Sequence, residues 1–192
     1  MSVKPRSLKA RVSDLLARTP LWGPLWGPMS VMGLVIAFIA FLGDRLSKWW
    51  LIDVYGIADK GVVNLLPFLD LVMAWNKGIS YGLFQAETGT GRALLAGFAI
   101  LVSSALYLWL ARVNQHLLAV AIGFILGGAL GNIYDRLIFG AVADFFSPHG
   151  FGYYWYIFNI ADVWISIGVI LMMYDAFFGP DAKAERAKDK NV

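Results

Sequence analysis

Asp144 and Asp162 are the residues of this chain whose type and setting could do chemistry. Asp144 lies in Ala143-Asp144-Phe145, and Asp162 closes Phe158-Asn159-Ile160-Ala161-Asp162 just before a long apolar run. Each is flanked by apolar or aromatic residues. Two carboxylates that meet in a low-dielectric site cannot both ionise easily, so they can share one proton. One then acts as a base toward water and the other as an acid. Each also has a plainer reading. Asn159 could be a helix N-cap with Asp162 at the third helical position, complementing the dipole, and Asp144 could be an interfacial loop acid. Together they favour hydrolysis of the aspartic-protease kind. Little else in the chain could do it. There is no cysteine, which removes disulfides, thiol catalysis and thiolate metal sites together. The histidines are His116 and His149, and Ser147 and His149 flank Pro148, a thin basis for a serine mechanism.

Other polar residues recur beside apolar runs, where an ionisable group costs several kcal/mol and is a functional candidate by default. Asp44 and Lys48 are four apart and can pair on one helix face. Asn132, Asp135 and Arg136 share a helical stripe. It reads either as an interfacial charge pair with snorkelling side chains or as a network that orients the acids or binds a headgroup. Asn76, after Trp75, reads as a turn residue.

The elements that must position these groups are mostly membrane spans. The 192 residues are 59% hydrophobic with a mean hydropathy of +0.64, above the roughly 45–50% apolar content of soluble domains. Residues 31–50 would be about 30 Å long as a helix, enough to cross the hydrocarbon core. Further spans are expected at 93–111, 117–137 and 160–178. Gly123, Gly127 and Gly131 recur every four residues, a spacing that lets helix backbones approach closely in lipid. The 53–91 segment is mixed. Short antiparallel strands are expected there at the membrane surface, Leu69–Trp75 and Ile79–Phe84, joined by a turn at Asn76-Lys77-Gly78. Gly82, Gly89 and Gly91 could make its end mobile. Residues 138–159 read as a connector on the same side.

Residues 1–30 form a basic tail with Lys4, Arg6, Lys9, Arg11 and Arg18, followed by Trp22 and Trp26 as an interfacial anchor. A cleaved signal peptide is disfavoured, because the apolar run starts late and no small-x-small site follows it. Residues 179–192 are a second polar tail, with Lys183, Arg186, Lys188 and Lys190. The basic residues put both tails and the Arg112 turn in the cytoplasm and the acids on the outer side. The net charge of +3 fits anionic headgroups better than nucleic acid. The expected fold class is membrane all-α, a bundle of four transmembrane helices with a small extracytoplasmic β-sheet or loop segment.

The motifs form a series in order along residues 31–178. It runs Asp44-x-x-Ser47-Lys48, Asn76-x-Gly78-x-Ser80, Gly131-Asn132-x-x-Asp135-Arg136, Ala143-Asp144-Phe145, and Phe158-Asn159-x-Ala161-Asp162. This series resembles bacterial lipoprotein signal peptidase (signal peptidase II). The resemblance implies that Asp144 and Asp162 are the catalytic pair. It implies supporting or substrate-binding positions at Asp44, Lys48, Asn76, Gly78, Asn132, Asp135, Arg136, Asn159 and Ala161. It implies a prolipoprotein substrate bearing diacylglyceryl-cysteine, cut on the amino side of that cysteine. It also implies a bacterial cytoplasmic (inner) membrane protein with its active site near the extracytoplasmic face. No cofactor and no metal are implied, since a carboxylate pair can activate water alone. Membrane lipids and the substrate are the expected partners, with no nucleic acid, and the protein is expected to be a monomer. Two departures stand out: the N-terminal tail is long for the family, and Asn76-Lys77-Gly78 continues as Ile-Ser-Tyr-Gly, where alanine and phenylalanine are common. The rival classes are a small proton-coupled transporter using intramembrane carboxylates and a non-enzymatic assembly factor using the glycine face. Against the transporter, the acids gather on one side instead of forming a chain through the bilayer.

Overall fold

A computed structural model describes residues 23, 25–78 and 88–180. The basic tail with Trp22, the expected strand Ile79–Phe84 with Ser80 and Gly82, and the tail beyond residue 180 lie outside the described residues. Among the described residues, four helices are long and apolar enough to cross a membrane. They are α1 (Ser30–Trp49), which continues as a π-helical turn over Trp50–Val54, α3 (Gly89–Leu110), α4 (His116–Ile138) and α5 (Ile160–Phe178). A single turn, α2 (Ile57–Lys60), follows the π-helical turn. Leu94, Phe98 and Leu101 on α3 and Ile170, Met173 and Phe177 on α5 are exposed. In water that belt would be unfavourable. In lipid it is the ordinary surface of a span, and each helix satisfies its own backbone.

The bundle is organised around α4, the one span that is mostly buried. Its glycines explain why. A Cβ at Gly123 would meet the Gly33 carbonyl oxygen, one at Gly127 the Ala37 carbonyl oxygen, and one at Gly131 the Asp44 carboxylate, all on α1. On the other flank a Cβ at Gly128 would meet the Ala161 carbonyl oxygen of α5. The four-residue glycine spacing thus forms one face against α1, and Gly128 opens a second face toward α5.

A four-stranded antiparallel sheet caps one end, in the order β1 (Val63–Leu66), β2 (Leu69–Asn76), β3 (Val142–Gly150), β4 (Tyr153–Tyr154). Leu51, Ile57, Leu71, Ala143 and Phe145 form its core. The expected strand over Leu69–Trp75 is present, but its described partners differ from the expected one. It pairs upstream with β1 and, on its other edge, with β3, with Ala74 opposite Asp144 and Asn76 opposite Val142. Residues 138–159, expected as a connector, therefore contribute two strands, β3 and β4. Asp144, Ser147 and Pro148 interrupt the apolar pattern of β3, so its strand character emerges only with the ladder that β2 provides. Gly89 and Gly91, expected to be mobile, lie in the first turn of α3, where the Thr88 side chain caps the Gly91 N–H at 3.1 Å.

Candidate active site

The N-terminus of α5 supplies the first carboxylate. Asn159 is the N-cap: its side chain accepts from the Asp162 N–H at 3.1 Å, and Asp162 Oδ2 accepts from the Asn159 N–H at 3.2 Å. This is a capping box. The cap reading of Asp162 is therefore realised, and it does more than end the helix. It fixes one carboxylate oxygen and leaves Oδ1 to accept from Asn132 Nδ2 of α4 at 2.9 Å.

The second carboxylate comes from the sheet. Asp144 on β3 is 2% exposed. Its Oδ1 accepts from Asn159 Nδ2 at 2.6 Å and its Oδ2 from Asn76 Nδ2 at 3.0 Å. Asn159 Nδ2 also donates to Asn132 Oδ1 at 3.1 Å. Two asparagines thus join the acids into one network: Asp144 to Asn159, Asn159 to Asn132, Asn132 to Asp162. Burial pushes the Asp144 carboxyl up from its ordinary 3.8 to about 7, and the nearby Asp162 charge pushes the same way. The hydrogen bonds from Asn76 and Asn159 and the Lys48 charge oppose this without cancelling it.

Beneath this network lies a buried ionic layer that locks α1 to α4. Lys48 Nζ sits 3.0 Å from Asp44 Oδ2 and 2.7 Å from Asp135 Oδ2, and Arg45 Nη1 donates to Asp135 Oδ1 at 2.5 Å. The two acids and two bases balance, as groups removed from water must. Each acid also holds a backbone N–H. Asp44 Oδ1 accepts from the Ala161 N–H at 3.1 Å, satisfying an orphan donor of the first turn of α5. Asp135 Oδ2 accepts from the Ala143 N–H at 3.2 Å, which fixes the backbone one residue before Asp144. Asp44, Lys48, Asp135 and Ala161 are therefore scaffold for the two elements that carry the acids. Arg136 completes the frame, donating to the carbonyls of Asn132 and Gly78, each at 3.3 Å. Asn76 Oδ1 accepts from the Gly78 N–H at 3.0 Å, so Asn76 is a turn residue and a ligand of Asp144 at once.

A cavity of about 490 Å³ opens beside Asp162, with Phe158, Tyr156, Val163 and Ile170 among its walls. It is mostly apolar, with Asp162 in its lining, which suits a lipophilic ligand. Ser147 and His149 lie elsewhere. His149 Nε2 faces Asp70 at 3.3 Å, toward the end of β3 away from Asp144. Two participants escaped the sequence reading. Arg45 carried a signal, a charge inside an apolar run, but was overlooked beside the obvious Asp44 and Lys48 pair. Tyr156, whose hydroxyl accepts from Asn76 Nδ2 at 2.8 Å, is one aromatic among several and carried none.

The chain is similar to known proteins over most of its length. Residues 36–178 match the family model described as signal peptidase (SPase) II. A lipoprotein signal peptidase of Rhodopseudomonas palustris is 46% identical over 80% of this chain and 96% of its own length. One from Methylobacterium radiotolerans is 48% identical over 81% and 90%. A bacterial membrane enzyme solved by the in meso method at 2.3 Å superposes with a TM-score of 0.66 at 30% identity, covering 76% of this chain and 87% of that one.

Proposed function

Because this chain belongs to the signal peptidase II family, we propose that Asp144 and Asp162 are the acid–base pair with which it cleaves the signal peptide from prolipoproteins. The protein is a multi-pass membrane peptidase, a hydrolase with four membrane-crossing helices and a small sheet. The observation that carries the assignment is the asparagine-linked pair itself, with Asp144 buried and Asp162 lining the cavity.

Asp144 holds the pair's proton, since burial favours its neutral form. Asp162 takes a proton from a water as the water oxygen attacks the scissile carbonyl carbon. Asp144 protonates the carbonyl oxygen, giving a tetrahedral diol without leaving an unpaired charge in a dry site. Asp162 then returns its proton to the departing nitrogen, and the C–N bond breaks. In the collapse of the diol Asp144 recovers the proton it gave. Asn132, Asn159 and Asn76 hold both carboxylates through the cycle.

The substrate's reacting cysteine carries diacylglycerol in this reading, and the cut falls on its amino side. The lipid and the signal helix reach the cavity laterally through the bilayer, and water arrives from the outer face. The basic residues favour both termini in the cytoplasm and the sheet outside, in a bacterial inner membrane. The protein acts as a monomer, since the acids and their supports all come from one chain. The test is incubation of detergent-purified protein with a lipidated prolipoprotein and no other protein. Release of the signal peptide with a new amino-terminal lipidated cysteine is expected. An uncut substrate would overturn the reading.

A further inference from the structure

We propose that Tyr156 is a positioning residue: its phenol holds the Asn76 amide in the orientation that donates to Asp144. The inference rests on the acid-pair reading above and extends it to a residue outside the motifs. An asparagine side chain has one acceptor oxygen and two donor hydrogens. At Asn76 all are engaged, Oδ1 by the Gly78 N–H at 3.0 Å and Nδ2 by Asp144 Oδ2 at 3.0 Å and the Tyr156 hydroxyl at 2.8 Å. The Gly78 bond tells the amide which end is oxygen, and Tyr156 tells it how far to turn. Without the phenol, the second N–H would lose its acceptor in a half-buried site, and the amide could rotate away from Asp144 to find another.

Tyr156 is well held for this role. The Trp155 N–H donates to the Pro148 carbonyl at 2.9 Å and the Phe158 N–H to the Phe146 carbonyl at 3.0 Å, so the backbone on both sides of Tyr156 is tied to β3, the strand that carries Asp144. The hydroxyl thus keeps a fixed distance from the carboxylate it serves. Tyr156 also lines the cavity beside Asp162.

The charged groups acting on Asp144 are Asp162 of α5 and Lys48 of α1, with Arg136 of α4 also near. Asp162 and Lys48 are unchanged by removing one phenolic oxygen, whereas Arg136 interacts electrostatically with Tyr156, so the Asn76→Ala background is what isolates the Asn76 bond. Donation from Asn76 favours the ionised carboxylate. Weakening it makes the proton harder to remove, and because Asp144 must hold that proton to act as the acid, the alkaline limb of the pH–kcat profile moves to higher pH.

The experiment compares wild type, Tyr156→Phe, Asn76→Ala and the double variant on a lipidated prolipoprotein in detergent, with melting curves to verify folding. Tyr156→Phe should lower kcat roughly fivefold, leave KM unchanged and move the alkaline limb up by about 0.5–1 pH unit. In the Asn76→Ala background it should cost nothing further, because its effect runs through Asn76. Wild-type kcat and profile in Tyr156→Phe would overturn the proposal. So would a change in KM alone, which would make the phenol a substrate wall, or losses that add across the double variant. If Asn76→Ala is inactive, the profile of Tyr156→Phe decides by itself. Failure of the acid-pair reading would show separately, as retained turnover in Asp144→Asn.

Discussion

Asp144 is a charge-bearing residue placed where charge is unfavourable, and that has a consequence for stability. Its carboxyl is raised from 3.8 to about 7 in the fold, so between roughly pH 4 and 7 the native state binds more protons than the unfolded chain. Stability must then fall as pH rises through that window, by about 4 kcal/mol from this residue alone on an order-of-magnitude reckoning. Asparagine cannot ionise. Asp144→Asn should therefore melt higher than wild type at pH 8, and the difference should shrink as pH falls toward 4. Thermal unfolding in detergent at several pH values checks this, and a difference constant with pH would contradict the burial argument. The two acids were legible because each stands among apolar residues. Their linkage was not, because an asparagine's amide has no hydropathy signature and Asn76, Asn132 and Asn159 come from distant parts of the chain. Tyr156 was invisible for the same reason, as its role depends on a strand pairing that local pattern does not encode.

At the level of elements, the close fit of α4 to α1 decides whether the ionic layer can form. A Cβ at Gly131 would strike the Asp44 carboxylate, which is 0% exposed and held by Lys48, so neither side can yield cheaply. Gly131→Ala should destabilise by about 1–3 kcal/mol. Gly97 of α3 has open space around its Cβ position, and Gly97→Ala should cost nothing. Equal melting temperatures for the two variants would remove the packing argument. Arg136 joins α4 to the end of β2 by reaching both the Asn132 and the Gly78 carbonyls, a span its forked guanidinium suits. Arg136→Ala should lose about 1–3 kcal/mol of stability together with activity, and Arg136→Lys should rescue poorly. Full stability and activity in Arg136→Ala would return Arg136 to the status of an interfacial charge. The helices were readable from uncharged runs alone, whereas β3 was not. Asp144 faces the site and, with Ser147 and Pro148, breaks the pattern that would identify it.

For the molecule as a whole, hydropathy made the four-helix plan plain, because the length of a span is imposed by the bilayer. The pairing of residues 69–76 with 142–148 was hidden, because the two strands are far apart in sequence. Orientation follows from the basic residues, and the native absence of cysteine makes it directly testable. A cysteine at residue 149 should react with a membrane-impermeant reagent from the outer side, and one at residue 112 from the cytoplasmic side. The reverse pattern would invert the topology. The measurement that bears most directly on the account is turnover of lipidated prolipoprotein by purified Asp144→Asn and Asp162→Asn, each verified as folded by its melting curve. Each should lose at least about 10²–10⁴-fold in kcat, the contribution of positioned acid–base groups. Near-wild-type cleavage by either folded variant would contradict the paired-carboxylate mechanism.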